Sequence, residues 1–495
     1  MLKKIKGFLF HNTSARQTVA KNTFWLTFSN FGGRAFKAIV IVYGARVLGT
    51  TSYGVFSYAF TLAGFFTLLF EPGVNSIVMR EIPKATPEES RRILATTLVM
   101  KLALIAAAVL VVLFIAPLFS TLPGATTLIP IIAVVVTFDS LREFFSAFIR
   151  SNEKMEWEAG IFMLTNFAIV FFGFLFMSFS KTALALSWAY AAGTIVGAGT
   201  AFLVLRKKLS GIFSYFSKKL VKPIIVSAWP FAITGALGLL LTNTDIIILS
   251  WMRTASEVGI YSAAIRVIQI LYVLPVVFQY STLPVLSRLA KNDNAKFRSA
   301  FERTVRLIFL LSIPMALGGT ILGTQIMGLL FGTPYLPGSL ALKLLLLTMI
   351  VDYPALIIGA AMFAYNHQKN LINASLIGGI SNVVLDLVLI PPFGMAGSAF
   401  GTLLAQILVN WYLWHTMKKI NYFTILPQLK KIIVSGLFMG LATTAMLFLG
   451  LPVIMNIVIS AGIYFGILYL IKEPLLIEVK HAVLSAPNQE MTVLS

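Results

Sequence analysis

The feature that most constrains this chain is a series of fourteen apolar runs, each long enough to cross a lipid bilayer as a helix. A helix needs about 20 residues to span the hydrocarbon core. Such runs fall at Asn22–Leu48, Gly54–Val74, Ile93–Phe119, Thr127–Ile149, Ala159–Phe179, Thr182–Leu205 and Pro223–Trp251. Seven more follow at Val258–Leu286, Leu307–Phe331, Leu340–Tyr365, Leu371–Pro391, Gly394–Met417, Ile432–Leu449 and Pro452–Ile471. The tightest separations are Ser180–Lys181 and Pro392–Phe393. Of the 495 residues, 58% are hydrophobic and 12% charged, where soluble domains carry roughly a quarter charged. The expected fold class is therefore an all-α integral membrane protein with fourteen transmembrane helices.

Basic residues give the sidedness. Loops on the side of the N-terminus hold 31 of the 39 Lys and Arg residues. The opposite loops, with the span ends that adjoin them, hold three (Arg46, Lys181, Arg253); Arg142, at a span end, is counted with the first group, and five lie deeper inside spans (Arg34, Lys37, Lys101, Arg266, Lys343). Cytoplasmic loops carry such an excess, so both termini are expected in the cytoplasm and the chain in the plasma or inner membrane. The net charge of +21 then faces anionic lipid rather than nucleic acid. The first 21 residues hold five basic residues and no long apolar run, so the first span and not a cleavable signal is expected to do the targeting. Leu2–Phe10 reads either as a short amphipathic surface helix or as a basic tail.

Landmarks recur in order along the chain. Gly54-Val55-Phe56-Ser57-Tyr58-Ala59 opens the second span, and Gly259-Ile260-Tyr261-Ser262-Ala263-Ala264 opens the eighth. Asp139 and Asp352 sit in mid-span, Lys154 and Lys369 follow them, and Asn166 and Asn382 come next, at offsets drifting from 205 to 216. This predicts two six-helix lobes in parallel repeat. The domains are then a basic segment at 1–21, an N-lobe at 22–205, a linker at 206–222 and a C-lobe at 223–417. A final helix pair at 432–471 and a tail at 472–495 complete the chain.

These residues also carry a resemblance. Asn22-Thr23-Phe24-Trp25-Leu26, Ala45-Arg46-Val47-Leu48-Gly49 and Tyr53-Gly54-Val55-Phe56-Ser57 resemble the start of Wzx-type polysaccharide-transporter flippases. These belong to the multidrug/oligosaccharidyl-lipid/polysaccharide exporter superfamily. Asn243-Thr244-Asp245 with the Gly259 stretch resembles the opening of that family's second lobe, and Asn382 with Ile390-Pro391-Pro392-Phe393-Gly394 a later stretch. The resemblance spans Asn22 to about Met417. It implies movement of a lipid-linked oligosaccharide from the cytoplasmic to the outer leaflet by alternating access. It also implies that the last two helices accommodate a lipid tail.

Charged groups inside a bilayer cost about 2.5–3.5 kcal/mol each on insertion scales and face partners or wet cavities. Asn30, Arg34 and Lys37 share one face of the first helix at i, i+4, i+7. With Lys101 and Arg266 they suit a pyrophosphate, Arg as a fork and Lys as a point charge. Arg34 and Lys101 could instead snorkel to the headgroups. Among the acids, Asp139 could pair with Arg142 and Glu143. Asp245 and Arg266 are expected to form a gating ion pair on the outer side. Asp139 and Asp352, with Asp386, could carry a coupling proton, hold sodium or make a structural hydrogen bond. Pro130, Pro230, Pro275, Pro314 and Pro354 can kink their helices. Trp25, Trp157, Trp251, Trp411 and Trp414 read as interface anchors.

No enzyme is expected. The loops are short, the four histidines (His11, His367, His415, His481) have no metal-ligand spacing, and no Walker loop or cysteine is present. No cofactor is called for, and the partners are lipid-linked oligosaccharide, membrane lipid and a coupling H+ or Na+, with the protein a monomer. The competing readings are a cation-coupled multidrug exporter, which an acidic cavity would favour, and a membrane-embedded sugar ligase, which would need a sizeable outer loop.

Overall fold

The computed structural model describes residues 15–70 and 73–476, and among them every regular element is helical. The Leu2–Phe10 segment lies outside the described residues, as do the side chains of residues 229–242, Pro230 included. The helices are α1 (Ala15–Phe70), α2 (Val74–Glu81), α3 (Pro87–Phe114), α4 (Ala125–Ser151), α5 (Met155–Phe179), α6 (Ala183–Leu209) and α7 (Lys218–Met252). They continue with α8 (Ala255–Leu271), α9 (Val273–Asn292), α10 (Asn294–Phe331), α11 (Ser339–Ala364), α12 (Gln368–Ile420), α13 (Lys430–Phe448) and α14 (Val453–Leu470). Ten helical segments are long and apolar enough to cross a membrane, so this is a multi-pass membrane protein. The separation at Ser180–Lys181 is a true helix break.

Two helices are too long for one crossing, and each folds back at a glycine. In α1 the turn is Gly49, at φ 72° and ψ 175°, a conformation open to glycine and strained for other residues. Leu186 packs on Gly44 while Tyr190, one turn further along α6, packs on Phe56 and Phe60. A straight α1 would hold Gly44 and Phe60 about 24 Å apart, so the two halves lie side by side. In α12 the turn is Gly394, at φ 56° and ψ −136°, one residue beyond the expected Pro392–Phe393 separation. Gly397 then presses on the Leu389 carbonyl, and Asn382 Nδ2 donates to Thr402 Oγ1 at 3.3 Å.

The chain divides into two compact units, Met1–Arg266 and Val267–Ser495. This boundary lies beyond the 206–222 linker, because α7 packs on α1, α2 and α3. In the first unit small residues let helices close up, as they do in lipid. A Cβ on Gly193 would fall 2.3 Å from Ile169, and one on Gly197 would fall 2.1 Å from Thr165. Gly54 and Gly259 make the closest approach. A Cβ on Gly54 would lie 1.8 Å from the Ala255 carbonyl oxygen, and one on Gly259 would lie 2.0 Å from that of Thr50. Each glycine thus sits on the carbonyl four residues before the other. Ser256 Oγ donates to Thr50 Oγ1 at 2.8 Å across the same crossing. Polar ties hold the far end of the unit: Lys21 to Glu156 at 2.8 Å, and Arg150 to Glu158.

The expected eighth span is two helices, α8 and α9, separated at Tyr272 near the start of the second unit. Pro275 has no N–H for the Leu271 carbonyl one turn back. The Tyr353 hydroxyl of α11 donates to that carbonyl instead, at 2.8 Å. Pro314 and Pro354 sit inside continuous helices. The last two helices are tied together by buried polar groups: Thr443 Oγ1 with Ser460 Oγ at 2.7 Å, and Asn456 Nδ2 donating to the Thr443 carbonyl at 3.1 Å. Tyr464 donates to the Leu310 carbonyl at 2.9 Å and Arg306 pairs with Glu473 at 3.0 Å, fastening α14 and its end to α10.

Replacing Tyr353→Phe leaves the Leu271 carbonyl without its donor. Thermal unfolding in detergent should show a loss of about 1–3 kcal/mol, whereas Tyr422→Phe, on an exposed ring, should change little.

Candidate functional site

Lys37, on the first half of α1, reaches into a cavity of ≈ 240 Å3 within the first unit. The remaining polar lining comes from Tyr53 and Thr61 on the second half of α1, Asp139 on α4, Tyr190 on α6, Asn243 on α7 and Arg266 on α8. Because α1 doubles back, residues sixteen apart in sequence meet across this space. Phe56 and Phe60 form an aromatic wall, their ring centroids 5.5 and 5.3 Å from that of Tyr190. Arg266 hydrogen-bonds the Tyr53 hydroxyl.

Charge in this cavity is unbalanced. Lys37 and Arg266 face a single lining acid, Asp139. That acid is already held: Arg142 donates to Asp139 Oδ1 from Nε at 3.0 Å and from Nη2 at 2.8 Å. Arg142 Nη2 also donates to Glu143 Oε1 at 2.7 Å, and the guanidinium lies over Phe162. So local pairing, one of the alternatives open for Asp139, is what the structure contains. Arg34 and Arg142 lie within electrostatic reach of Lys37, alongside Arg266. A low-dielectric space with surplus cations and ring hydroxyls suits a doubly charged anion such as a diphosphate.

Other expected site residues lie elsewhere. Asn30 is exposed and donates to the Leu26 carbonyl of its own helix at 2.8 Å. Lys101 is fully buried, so it does not snorkel to the headgroups, and it does not line the cavity. The expected Asp245–Arg266 ion pair is not formed. Asp245 Oδ2 accepts from the Tyr261 hydroxyl at 2.8 Å and Oδ1 from the Ile246 amide at 2.9 Å. Arg266 lies within electrostatic reach of that carboxylate without pairing with it. In the second unit Asp352 accepts from Tyr272, and Asp386 is fully buried with Gly401 packed against its Oδ1.

Tyr53 and Asn243 had stood out only as parts of family-like stretches, and Tyr190 had no sequence signal. A lone tyrosine in an apolar helix reads as packing until the fold places it against a cation.

The fold is that of a known class of membrane transporters. The solved structure of the lipid II flippase MurJ, in an inward closed conformation, matches with a TM-score of 0.77 at 20% identity, covering 91% of this chain and 99% of that one. A multidrug resistance MATE family transporter, facing inward, matches with a TM-score of 0.62 at 12% identity, covering 77% and 98%. Within that class, the family model described as "Polysaccharide biosynthesis protein" matches residues 19–290, and the chain belongs to that family. Relatives include a probable low-salt glycan biosynthesis flippase, Agl15, of Haloferax volcanii, 24% identical over 78% of this chain and 81% of its own. A putative O-antigen transporter of Shigella flexneri is 23% identical over 80% of this chain and 97% of its own. The resemblance read from Asn22 to Met417 is borne out.

Because Tyr261, not Arg266, holds Asp245, exchanging the two charges (Asp245→Arg with Arg266→Asp) should rescue neither single variant. Tyr261→Phe should lower stability by about 1–3 kcal/mol, as expected when a buried acceptor loses its donor. Thermal unfolding of the four variants checks both outcomes.

Proposed function

We propose that this protein flips a polyprenyl-(pyro)phosphate-linked oligosaccharide from the cytoplasmic to the outer leaflet, in the making of a cell-surface glycan. The observation that carries this reading is the cation surplus around Lys37 and Arg266, beside an acid already neutralised by Arg142. At ≈ 240 Å3 the cavity lies below the usual range for drug-sized ligands, about 300–1,000 Å3, and fits the phosphates rather than the sugars. A probable glycan biosynthesis flippase and a putative O-antigen transporter among the relatives support a glycan-bearing substrate.

Fourteen crossings, with both termini cytoplasmic, fit the helices. The ten long apolar segments become fourteen when α1 and α12 count as hairpins and α4 and α7, 27 and 35 residues long, are added. The reciprocal seating of Gly54 and Gly259 supports a pseudo-two-fold relation between two six-helix lobes, with α13 and α14 appended. On the loop-charge sidedness this crossing is the outer closure of an alternating-access cycle. Asp139, Asp245, Asp352 and Asp386 are the groups through which a coupling H+ or Na+ would act, and the protein works as a monomer without a catalytic step. The structural likeness to multidrug transporters brings a second reading, the cation-coupled exporter. A cavity already cationic repels cationic drugs, which disfavours it.

The test is translocation of a fluorescent lipid-linked oligosaccharide in liposomes of purified protein. Lys37→Ala with Arg266→Ala should lower the rate at least about 100-fold, as expected when more than one charge-assisted contact is lost at about 1.5–3 kcal/mol each, while insertion is retained. Wild-type rates in that double variant, or efflux of small cations with no lipid movement, would favour the exporter.

A further inference from the structure

A second hollow, of ≈ 660 Å3, lies in the first unit between α3, α4, α6 and the short turn Ile212–Tyr215. The two spaces use different faces of α4. Val135 and Asp139 line the cationic cavity, whereas Phe138, Leu141 and Phe145 line this crevice. Its rim is open: Leu102 is 39% exposed, Ile195 40% and Phe202 50%. Apolar exposure on that scale, on helices of a membrane protein, faces lipid. Gly199 leaves the wall of the crevice bare, since a Cβ there would meet no atom within 4 Å.

One charge lines this apolar slot. Arg206 sits in the last turn of α6 at one end of the crevice, exposed, and its side chain makes no hydrogen bond or ion pair among the described residues. Among the described residues no acid lines the crevice. Lys208, two residues on, is directed elsewhere: it donates to Asn152 at 3.1 Å and lies over the Phe148 ring. A slot of hydrocarbon character closed at one end by a lone guanidinium complements an acyl chain that ends in a phosphate. Guanidinium grips phosphate oxygens as a fork, and the loop beyond Arg206 is rich in Lys and Arg, as cytoplasmic segments facing anionic lipid are.

We propose that this crevice binds one anionic phospholipid, its acyl chain between Leu102, Phe138, Gly199 and Phe202 and its phosphate on Arg206. The site is separate from the cationic cavity and does not depend on what that cavity carries. It makes the inner-leaflet lipid composition a determinant of how firmly α3, α4 and α6 are held together.

Native mass spectrometry of the full-length chain tests this, with 1-palmitoyl-2-oleoyl phosphatidylglycerol and the matching phosphatidylcholine added in turn to the detergent-purified protein. The wild type should retain one phosphatidylglycerol in preference to phosphatidylcholine. Arg206→Gln should weaken phosphatidylglycerol about fivefold, the effect of one cation near a charged headgroup, and leave phosphatidylcholine unchanged. Gly199→Leu fills the slot without meeting backbone and should remove the retained lipid of either kind. Lys207→Gln, on the same turn but outside the crevice lining, should change nothing. The proposal is overturned if Lys207→Gln weakens binding as much as Arg206→Gln, since the attraction is then diffuse. It is equally overturned if Gly199→Leu still holds the lipid, or if Gly199→Leu abolishes a dimer, which would make the crevice an interface between copies. Should Gly199→Leu fail to fold, the comparison of Arg206→Gln with Lys207→Gln decides alone.

Discussion

Gly54 and Gly259 rest on each other's helix backbones with no side chain between them, and the first unit is organised around that crossing. Each glycine occupies the place over a carbonyl where any Cβ would collide. In lipid, where apolar burial drives little association, such backbone approaches and their polar supports hold helices together. The hydroxyls of Thr50 and Ser256 add one such support. By drawing α8 against the second half of α1, the crossing places Arg266 beside Tyr53 and opposite Lys37. The cationic cavity is thus a consequence of the glycine contact, and separating the two helices would dismantle it.

Electrostatics explains why such a cavity persists. Lys37 and Arg266 with one lining acid would be costly if dry and unpaired. Asp139 offsets part of that charge but is shared with Arg142, which Glu143 also holds. In the proposed cycle the diphosphate of the substrate would neutralise the remaining excess. Its binding and the relief of cation repulsion would then be one event, linking occupancy to conformation.

Much of this was legible in the sequence because the bilayer imposes long, simple signals. Apolar runs of bilayer length and basic loops on one side are properties of single segments, whereas the reversals at Gly49 and Gly394 came from the backbone. The glycine pair was visible as the first of a series of recurrences at slowly drifting offsets, although its physical meaning, mutual seating, required the coordinates. Contacts between helices were harder to read. Asp245 and Arg266 looked like partners because both were charged and near one side, but it is the Tyr261 hydroxyl that bonds the carboxylate. Lys101 was open either to the cavity or to the headgroups, yet it is fully buried and lines no part of the cavity. Tyr190 carried no signal because its role depends on a helix far from it in sequence.

In the proposed cycle the Gly54–Gly259 crossing closes the outer side and must open once in every turnover. The chain has no cysteine, so a Thr50→Cys, Ser256→Cys pair introduces its only thiols, at side chains whose oxygens are 2.8 Å apart, close enough for a disulfide. Lipid-linked oligosaccharide translocation by this variant should stop on oxidation and return on reduction. Undiminished translocation by the fully cross-linked protein would contradict the account.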